Sequence, residues 1–557
     1  MRIRTSVRAY RKIWIAGLLT VASATTQAAS PATAASAPPS VERVGVVSFA
    51  VSCSPKVRDE FNRGVALLHD FWYVEASRQF AKIVQSDPSC AMAHWGLAMS
   101  VWHPIWDRPD ADAWATGWRE MQAAQAHPAQ TDREREYIAA LSHFFRPGKE
   151  DFPARATAYE TAMGSLSTHN PQDVDAAAFH ALSLLASESP TDTSLTHERK
   201  ALAILKPLWK KYPDHPGLVH YIIHASDSPT LAPEGLAAAR RYGEVAASVP
   251  HAVHMPAHIF ARLGMWQDDI EVNIASIAAS DAAEARGESG WMDQFHADDF
   301  LIYAYLQSGQ EKLARATVAK AEAAMAHRES MPEVHAEHYM TGMFPYYRTK
   351  LPIFVALETR DWKTAANLQP VAGAAPDTQT MTYWARIIAD GHLRNAQQAR
   401  ADLASYDSLI AEVRKSRHAY FADSTGGQIA RGELLGWVAF AGGDLAQATR
   451  KMGAAADLQD KLGQVEVDLP AREMLADMLL ESGKPREALA EYQRSMKISP
   501  NRFNSLLNAG KAAEAAGDPA TARSYYAALL KSTDDGAHST RTADIAHAKA
   551  FVSTASR

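Results

Sequence analysis

A 34-residue period near the end of the chain constrains the fold more than any other feature. The segments "LLESGKPREALAEYQRSMKISP" (479–500) and "AAEAAGDPATARSYYAALLKST" (512–533) align so that Gly483 matches Gly517 at an offset of 34. In both segments a small residue follows the glycine after five positions, and an aromatic residue follows four positions later. Because a single helical hairpin cannot bury its own apolar face, this period predicts an all-α array of stacked hairpins.

The pattern resembles the tetratricopeptide repeat (TPR), in which a small residue lets two helices approach and an aromatic residue fills the space between them. Weaker copies of the second-helix signature lie upstream, at 61–88, 201–213, 237–250, 263–277, 306–323, 357–368 and 440–458. The resemblance implies an all-α, TPR-like superhelical solenoid of helix pairs over residues 54–535. Residues 104–150 and 324–350 fit the repeat poorly, and we expect insertions there, as longer helices or loops.

The N-terminal end predicts export. Residues 1–28 carry five basic residues and no acidic one, and their apolar stretch "IWIAGLLTVASA" is too short to span a bilayer. This pattern is typical of a secretory signal peptide, with a short membrane tether as the alternative, and it predicts a periplasmic or secreted protein. No other apolar run is long enough to cross a membrane, so we expect no integral membrane segment after signal removal.

The segments that flank the array have their own predictions. Residues 29–53 form an Ala/Ser/Pro-rich leader, predicted to be disordered, and within it 43–52 is predicted to be a short strand or an extended cover. Residues 536–557 are predicted to be a C-terminal tail or a capping helix.

The charge of the chain bears on its partners. Removing the five basic residues of 1–28 changes the formal net charge from −6 to −11. An acidic chain disfavours nucleic acid and anionic membrane surfaces, so the predicted partner is a protein or peptide and not a nucleic acid.

The chain has two cysteines, Cys53 and Cys90. In an oxidising compartment two cysteines favour one disulfide, with two buried thiols as the alternative. The bridge would close a loop of about 37 residues and contribute ~3–4 kcal/mol in the chain-entropy model.

Four segments extend the resemblance: "SCSPKVRDEFNRGVALLHDFWYVEA", "DPSCAMAHWGLAMS", "HPGLVHYIIHASD" and "HMPAHIFARLGMW". They resemble a family of exported bacterial TPR proteins, and the match spans most of the chain. The resemblance implies the fold and export, and it brings no settled activity.

Histidines are concentrated in two neighbouring repeats, in "HPGLVHYIIHASD" and "HAVHMPAHIF". The TPR resemblance implies that the fifth and ninth positions of each first helix face the concave groove. These positions hold His220 and His224 in one repeat, and His254 and His258 in the next. A spacing of four places two side chains on one helix face, so the four imidazoles are predicted to bind one Zn or Cu ion.

Other residues fall at groove positions near this cluster. The register places Asp227 and His251 beside it, as a carboxylate ligand or ring-orienting acceptor and as a further imidazole. It also assigns to the groove Arg262, His296, Asp299 and Tyr303.

Several functions remain open from the sequence. "HYIIH" lacks the acid of a zinc-protease "HExxH" motif. We expect the groove to bind a protein or peptide partner, with a metal-dependent enzyme as an alternative in which Asp299 or Tyr303 is the base. In a third possibility the chain is a plain scaffold and its histidines are structural.

Aromatic residues crowd the first repeats. Trp95, Trp102 and His103 lie in "HWGLAMSVWHPIW", and Trp72 and Tyr73 precede them. Packing in the core and between repeats is the first interpretation of these residues, and a stacking surface for a ligand is the second.

Overall fold

The computed structural model describes residues 42–105, 108–127, 129–189, 191–330, 342–416, 418–462, 468–533 and 536–553. The signal peptide predicted at 1–28 and the leader up to residue 41 lie outside the described residues. Residues Glu42–Arg557 form one compact unit.

The first half of this unit is a series of helices that begins after a short 3-10 turn at Pro55–Val57. They are α1 (Arg58–His69), α2 (Tyr73–Ser86), α3 (Ala91–Met99), α4 (Ala111–Ala126), α5 (Asp132–Phe145), α6 (Phe152–His169), α7 (Val174–Ala186), α8 (Thr196–Lys211), α9 (Pro216–Ala225), α10 (Ala232–Val245), α11 (Pro250–His254), α12 (Pro256–Leu263), α13 (Trp266–Ala285), α14 (Trp291–Gln307) and α15 (Glu311–Glu329).

The second half continues in the same manner. Its helices are α16 (Met343–Glu358), α17 (Trp362–Ala366), α18 (Pro376–His392), α19 (Ala396–Val413), α20 (Ala419–Asp423), α21 (Thr425–Ala441), α22 (Leu445–Leu462), α23 (Ala471–Glu481), α24 (Pro485–Ile498), α25 (Phe503–Ala515), α26 (Pro519–Ser532) and α27 (Thr542–Ser553).

Neighbouring helices pair as antiparallel hairpins, and each hairpin packs on the next. α1 packs on α2, α2 on α3 and α3 on α4, and the succession continues to α27, which packs on α26. The described residues contain no strand, so the predicted all-α, TPR-like array of helix pairs is confirmed. Among the described residues, no helix is both long enough and apolar enough to cross a membrane.

Glycine and aromatic residues in the repeat have the packing roles that the period predicts. Gly483 and Gly517 adopt left-handed backbone angles, with φ of 72° and 77°, at the turns between paired helices. Gly510 lies directly under the ring of Tyr526, where a Cβ atom would overlap the ring. The aromatic residue therefore fills the space left by a small residue on the facing helix.

The segment 43–52 is an extended cover and not a strand. The amide of Val46 donates to the carbonyl of Asp214 at 2.9 Å, and the amide of Ser248 donates to the carbonyl of Arg43 at 3.0 Å. Phe49 is 2% exposed and packs against Phe61, with ring centroids 5.3 Å apart. The segment thus covers the first hairpins with side chains, without pairing as a ladder.

Two regions that fit the repeat poorly differ in the structure. Residues 104–150 contain α4 and α5, which pack on α3 and α6 and so continue the hairpin series instead of interrupting it. Between these two helices the ring of Phe145 lies directly over Gly117, and Trp114 stacks on Phe144 at 4.8 Å. Of the second region, 331–341 lies outside the described residues.

A disulfide joins Cys53 to Cys90, with 4.9 Å between their Cα atoms. Cys90 is the residue that precedes α3, and Cys53 lies just before α1. The bridge therefore ties the extended cover to the second hairpin.

Candidate metal centre

Six histidines from four helices, α9, α11, α12 and α14, converge in the first half of the array. His220 and His224 lie one turn apart on α9. The next repeat contributes His251, His254 and His258 from the short helices α11 and α12, which are separated at Met255. α14 contributes His296.

Three of these residues, His220, His224 and His251, form the first triad. One ligand nitrogen from each lies within 4.8 Å of the others. The Nε2 atoms of His220 and His224 are 3.1 Å apart. Two nitrogens that share a Zn or Cu ion at ~2.0–2.1 Å are separated by about 2.9–3.4 Å, so this pair already has the spacing of a metal-bound pair.

The second triad consists of His254, His258 and His296, whose ligand nitrogens also lie within 4.8 Å of one another. The ring centroids of His254 and His296 are 4.4 Å apart, and those of His254 and His258 are 5.1 Å apart. This triad repeats the first one with an offset of 34 residues for its first two members.

The two triads are contiguous. The ring centroids of His224 and His258 are 6.4 Å apart, and those of His251 and His254 are also 6.4 Å apart. The largest separation within the first triad, from His224 to His251, is the same 6.4 Å. A ring in one triad is therefore as near to the other triad as to the far member of its own.

Hydrogen bonds fix the tautomer of one ring in the first triad. The Nδ1 atom of His220 lies 2.6 Å from the main-chain carbonyl of His69 and donates its proton to it. The Nε2 atom of His220 therefore carries the lone pair that a metal requires.

Two rings of the second triad are held in the same way. The Nδ1 atom of His254 donates to Oδ1 of Asn273 at 2.7 Å, and Nδ1 of His258 donates to Oδ2 of Asp227 at 2.8 Å. Arg262 donates from Nε to the other oxygen of Asp227 at 2.8 Å. The Nε2 atoms of His254 and His258 are buried and have no hydrogen-bond partner. These buried nitrogens match the donor set of a metal site.

Burial keeps the imidazoles neutral. It lowers the pKa of His220, His224, His254 and His296, and the charges of neighbouring imidazoles lower these pKa values further. Burial alone would raise the pKa of Asp227, but Arg262 and His258 hold it below its ordinary value. Neutral rings beside an ionised, hydrogen-bonded carboxylate are in the protonation state that metal ligation needs.

An aromatic ring lies beside each triad. Phe71 is 4.4 Å from the ring of His220 and 5.3 Å from that of His224. Phe300 is 4.7 Å from His258 and 4.9 Å from His254. The triads therefore lie in an apolar setting.

The structure groups the predicted ligands differently from the sequence analysis. His220, His224, His254 and His258 were predicted to share one ion, and the structure divides them between two triads. The reason is that each hairpin is displaced along the array from the one before it. The third ring of each triad therefore comes from the following repeat, His251 for the first triad and His296 for the second.

Asp227 and Arg262 lie beside the second triad, as the register predicted, and form one hydrogen-bonded group with His258. Asp299 and Tyr303, which the register assigned to the groove, are both buried in the structure. Asp299 is fully buried in an ion pair with Nζ of Lys350 at 2.5 Å. The hydroxyl of Tyr303 is buried between Arg502 and the carbonyl of Asp468.

The physical reason is that α14 is enclosed on several sides. It packs on α13, α15, α16 and α25, so most of its positions face protein. Asp299 and Tyr303 each already contact a buried cation, Lys350 and Arg502 respectively.

A further layer lies behind the first triad and was not predicted. The ring of His69 contacts Tyr221 through Nδ1 at 2.9 Å and Asp175 through Nε2 at 3.0 Å. His215 contacts the same oxygen of Asp175 at 3.2 Å. This network fixes the segment whose carbonyl orients His220. Its members come from three separate repeats, and no local spacing in the sequence indicates it.

The aromatic residues of the first repeats belong to the core. Trp95 is 0% exposed and Trp102 is 1% exposed. Trp102 stacks on Phe144 at 3.9 Å. The packing interpretation is therefore correct for these two residues, and the stacking-surface interpretation is wrong for them.

Comparisons with known proteins found likenesses among solved structures alone. No family model matches the sequence, and no curated protein matches it. Among solved structures, the P58(IPK) TPR domain has 12% identity and a TM-score of 0.21, covering 90% of this chain and 99% of that one. The Cut9–Hcn1 assembly of APC/C has 12% identity and a TM-score of 0.31, covering 87% and 93%. Yeast Tom70 has 10% identity and a TM-score of 0.26, covering 89% and 88%.

At such TM-scores these likenesses carry no argument about ligand or partner. The 34-residue period and the stacked hairpins are sufficient for the architecture: this chain is an all-α, TPR-like helical array.

Proposed function

We propose that this protein is a metal-binding TPR-like protein whose two histidine triads each hold one transition-metal ion. The observation that carries the proposal is that imidazole nitrogens converge in rings whose other nitrogen already donates a hydrogen bond. His220, His254 and His258 each donate from Nδ1 to a fixed acceptor, which leaves Nε2 free of its proton.

The donor set favours Zn or Cu. All six candidate ligands are imidazoles, which suit these ions better than Mg or Ca. Both cysteines are joined in a disulfide, so neither supplies a thiolate. Buried nitrogens without a partner destabilise a fold by about 1–3 kcal/mol each, and a bound ion removes that cost.

Each triad supplies three protein ligands. Three protein ligands are typical of a site with an open fourth position. His224, His258 and His296 are partly exposed, so the two triads are not sealed from solvent. A site of this kind can bind a small molecule at the metal as well as hold the ion.

Metal analysis of protein purified without a His tag tests the proposal. We expect two ions per chain in the wild type and one in His224→Ala or His296→Ala, which each remove a ligand from a different triad. The control is His169→Ala, a surface histidine whose side chain is 64% exposed, which should keep both ions. Wild-type protein that takes up no metal and melts at the same temperature with added Zn or Cu would contradict the proposal.

We also infer that the protein is exported to the periplasm or the cell exterior. The basic and apolar segment within residues 1–28 and the disulfide support this location, since disulfides persist in oxidising compartments. Cell fractionation should find the protein outside the cytoplasm. Retention of reduced, full-length chain in the cytoplasm would contradict the inference.

The concave groove remains a proposed binding surface for a protein or peptide, on the strength of the array alone. The acidic charge of the chain still disfavours a nucleic-acid partner, and that exclusion stays a prediction.

A further inference from the structure

We propose that the two triads form a dinuclear copper centre that binds dioxygen between its ions as peroxide. This inference rests on the proposed metal site, and it adds the identity of the metal, the coupling of the two ions and the ligand.

The charge of the site favours copper in its lower oxidation state. No carboxylate is a ligand in either triad: Asp227 contacts Nδ1 of His258 and Arg262, and Asp293 lies 3.5 Å from Nδ1 of His251. The six ligands themselves are neutral, so the only negative charge near the ions comes from carboxylates behind the rings, of which Asp227 is already paired with Arg262. Burying two singly charged Cu(I) ions costs less than burying two divalent ions, since the cost of desolvation rises steeply with charge. In its divalent state, Cu(II), copper also binds nitrogen ligands more tightly than the other divalent first-row metals do.

The contiguity of the triads favours a coupled pair. Ring separations of 6.4 Å occur both within the first triad and between the two triads. Metal ions in two-metal sites lie about 3.5–4 Å apart, a distance that one small ligand can bridge.

The electron balance of the step is complete. Each Cu(I) ion gives one electron to dioxygen, so two Cu(I) ions become two Cu(II) ions and dioxygen becomes peroxide. No bond within the protein breaks, no proton is consumed, and the peroxide charge is matched by the rise in charge of the two ions. Release of dioxygen reverses the step.

The surroundings preserve bound peroxide. Phe71 and Phe300 flank the first and second triads at 4.4–5.8 Å and 4.7–5.3 Å from their rings. On the sides that they cover, these apolar rings keep away water, which would otherwise supply the protons that release hydrogen peroxide.

The inference is tested on the full-length protein, made metal-free and loaded with two equivalents of Cu(I) without oxygen. On exposure to dioxygen, we expect intense near-ultraviolet absorption from peroxide bound to Cu(II). We also expect uptake of one dioxygen for every two coppers, and loss of the electron paramagnetic resonance signal through coupling of the ions. Flushing with inert gas should reverse the absorption.

Variants distinguish a coupled pair of copper ions from two metal ions that bind separately. His296→Ala and, independently, His224→Ala should retain one copper and lose the peroxide absorption entirely, whereas His169→Ala should keep both. Circular dichroism checks that each variant is folded. Two bound coppers with the resonance signal of isolated Cu(II) and no peroxide absorption would overturn the inference and leave metal binding intact. A protein that binds no copper or zinc would overturn both.

Discussion

At the scale of single residues, Asn273 shows how the site is held. Its amide nitrogen donates to the side chain of Asp269 at 2.6 Å and to the Asp269 carbonyl at 2.9 Å. These bonds fix the orientation of the amide, so its oxygen must face Nδ1 of His254. A buried side chain thus determines which nitrogen of His254 carries the lone pair.

Replacing this amide should weaken one triad selectively. We expect Asn273→Ala to lower metal affinity at the second triad by about 10–100-fold and to leave the first unchanged. Competition with a chromophoric chelator measures both affinities. Asn367→Ala, at an exposed position in the second half of the chain, is the control. Equal affinities in Asn273→Ala and wild type would show that the amide does not orient His254.

A buried carboxyl far from the histidines gives a prediction about pH. Glu433 lies on α21 and accepts a hydrogen bond from Nε1 of Trp384 at 2.8 Å. Burial and the charge of Asp468 raise the pKa of Glu433 to about 8, although the bond from Trp384 opposes this shift. The folded state therefore holds the proton more tightly than the unfolded state, and the stability this gives is lost as the pH rises through about 8.

Glu433→Gln keeps an acceptor for Trp384 and removes the charge. Relative to wild type, its free energy of unfolding should increase between pH 5 and pH 9, by at most about 1.4 kcal/mol per pH unit. Urea unfolding at a series of pH values measures this difference. Glu412→Gln, at an exposed site, should show no such trend. A pH-independent difference for Glu433→Gln would refute the raised pKa.

The residue scale also shows what sequence alone could and could not predict. The paired histidines were found because their spacing of four and their offset of 34 are properties of the repeat itself. The sequence did not show that His251 and His296 complete the two triads. Their positions depend on how far each hairpin is displaced along the array from the one before it. That displacement is set by packing of α9, α11 and α14 and is not encoded in any local spacing.

At the scale of the elements, the break between α11 and α12 gives the second triad its shape. Pro256 has no amide proton, so the helix cannot continue its hydrogen bonds through this point. His254 ends one helix and His258 lies in the first turns of the next, yet their rings remain 5.1 Å apart. A proline at the first position of a helix is typical of a helix start, and it does not indicate that rings on either side of the break converge.

The disulfide is a second feature at this scale. It joins the segment before α1 to the residue before α3 and closes a loop with a sequence separation of 37. We expect the double variant Cys53→Ser and Cys90→Ser to lose ~3–4 kcal/mol of unfolding free energy. Denaturant unfolding of both proteins measures this, and wild type in a reducing agent should approach the variant. A loss below about 1 kcal/mol would mean that the extended cover is held by its other contacts.

At the scale of the whole molecule, buried ion pairs join repeats that are far apart in sequence. Arg502 is fully buried and bonds to Glu358 at 2.7 Å and to Glu473 at 2.9 Å. Nearby, Nε1 of Trp266 donates to the carbonyl of Asn501 at 2.7 Å. The start of α25 is thus fixed against elements from the middle of the chain.

Removing this cation should be costly, because it leaves two buried carboxylates without their partner. We expect Arg502→Ala to lower the free energy of unfolding by about 3–5 kcal/mol. The matched control is Arg414→Ala, which breaks an exposed pair with Asp423 and should cost at most ~1 kcal/mol. Denaturant unfolding compares the two. Similar losses in both variants would show that the buried network does not stabilise the array.

The long-range contacts also mark the limit of prediction for the whole molecule. A repeated pattern specifies how each hairpin packs on its neighbours, so the all-α array could be predicted from the 34-residue period. The meeting of Trp266 with Asn501 depends on the accumulated rotation of many hairpins. Small changes per repeat alter that sum, and they leave no signature in the sequence.

The most direct test of whether each histidine triad binds one metal ion is anomalous X-ray scattering from crystals of the metal-loaded protein, recorded at the absorption edge of the bound metal. The account predicts two peaks, one within ligand distance of His220, His224 and His251 and the other within ligand distance of His254, His258 and His296. A single peak shared by His220, His224, His254 and His258, or no peak among these six residues, would contradict it.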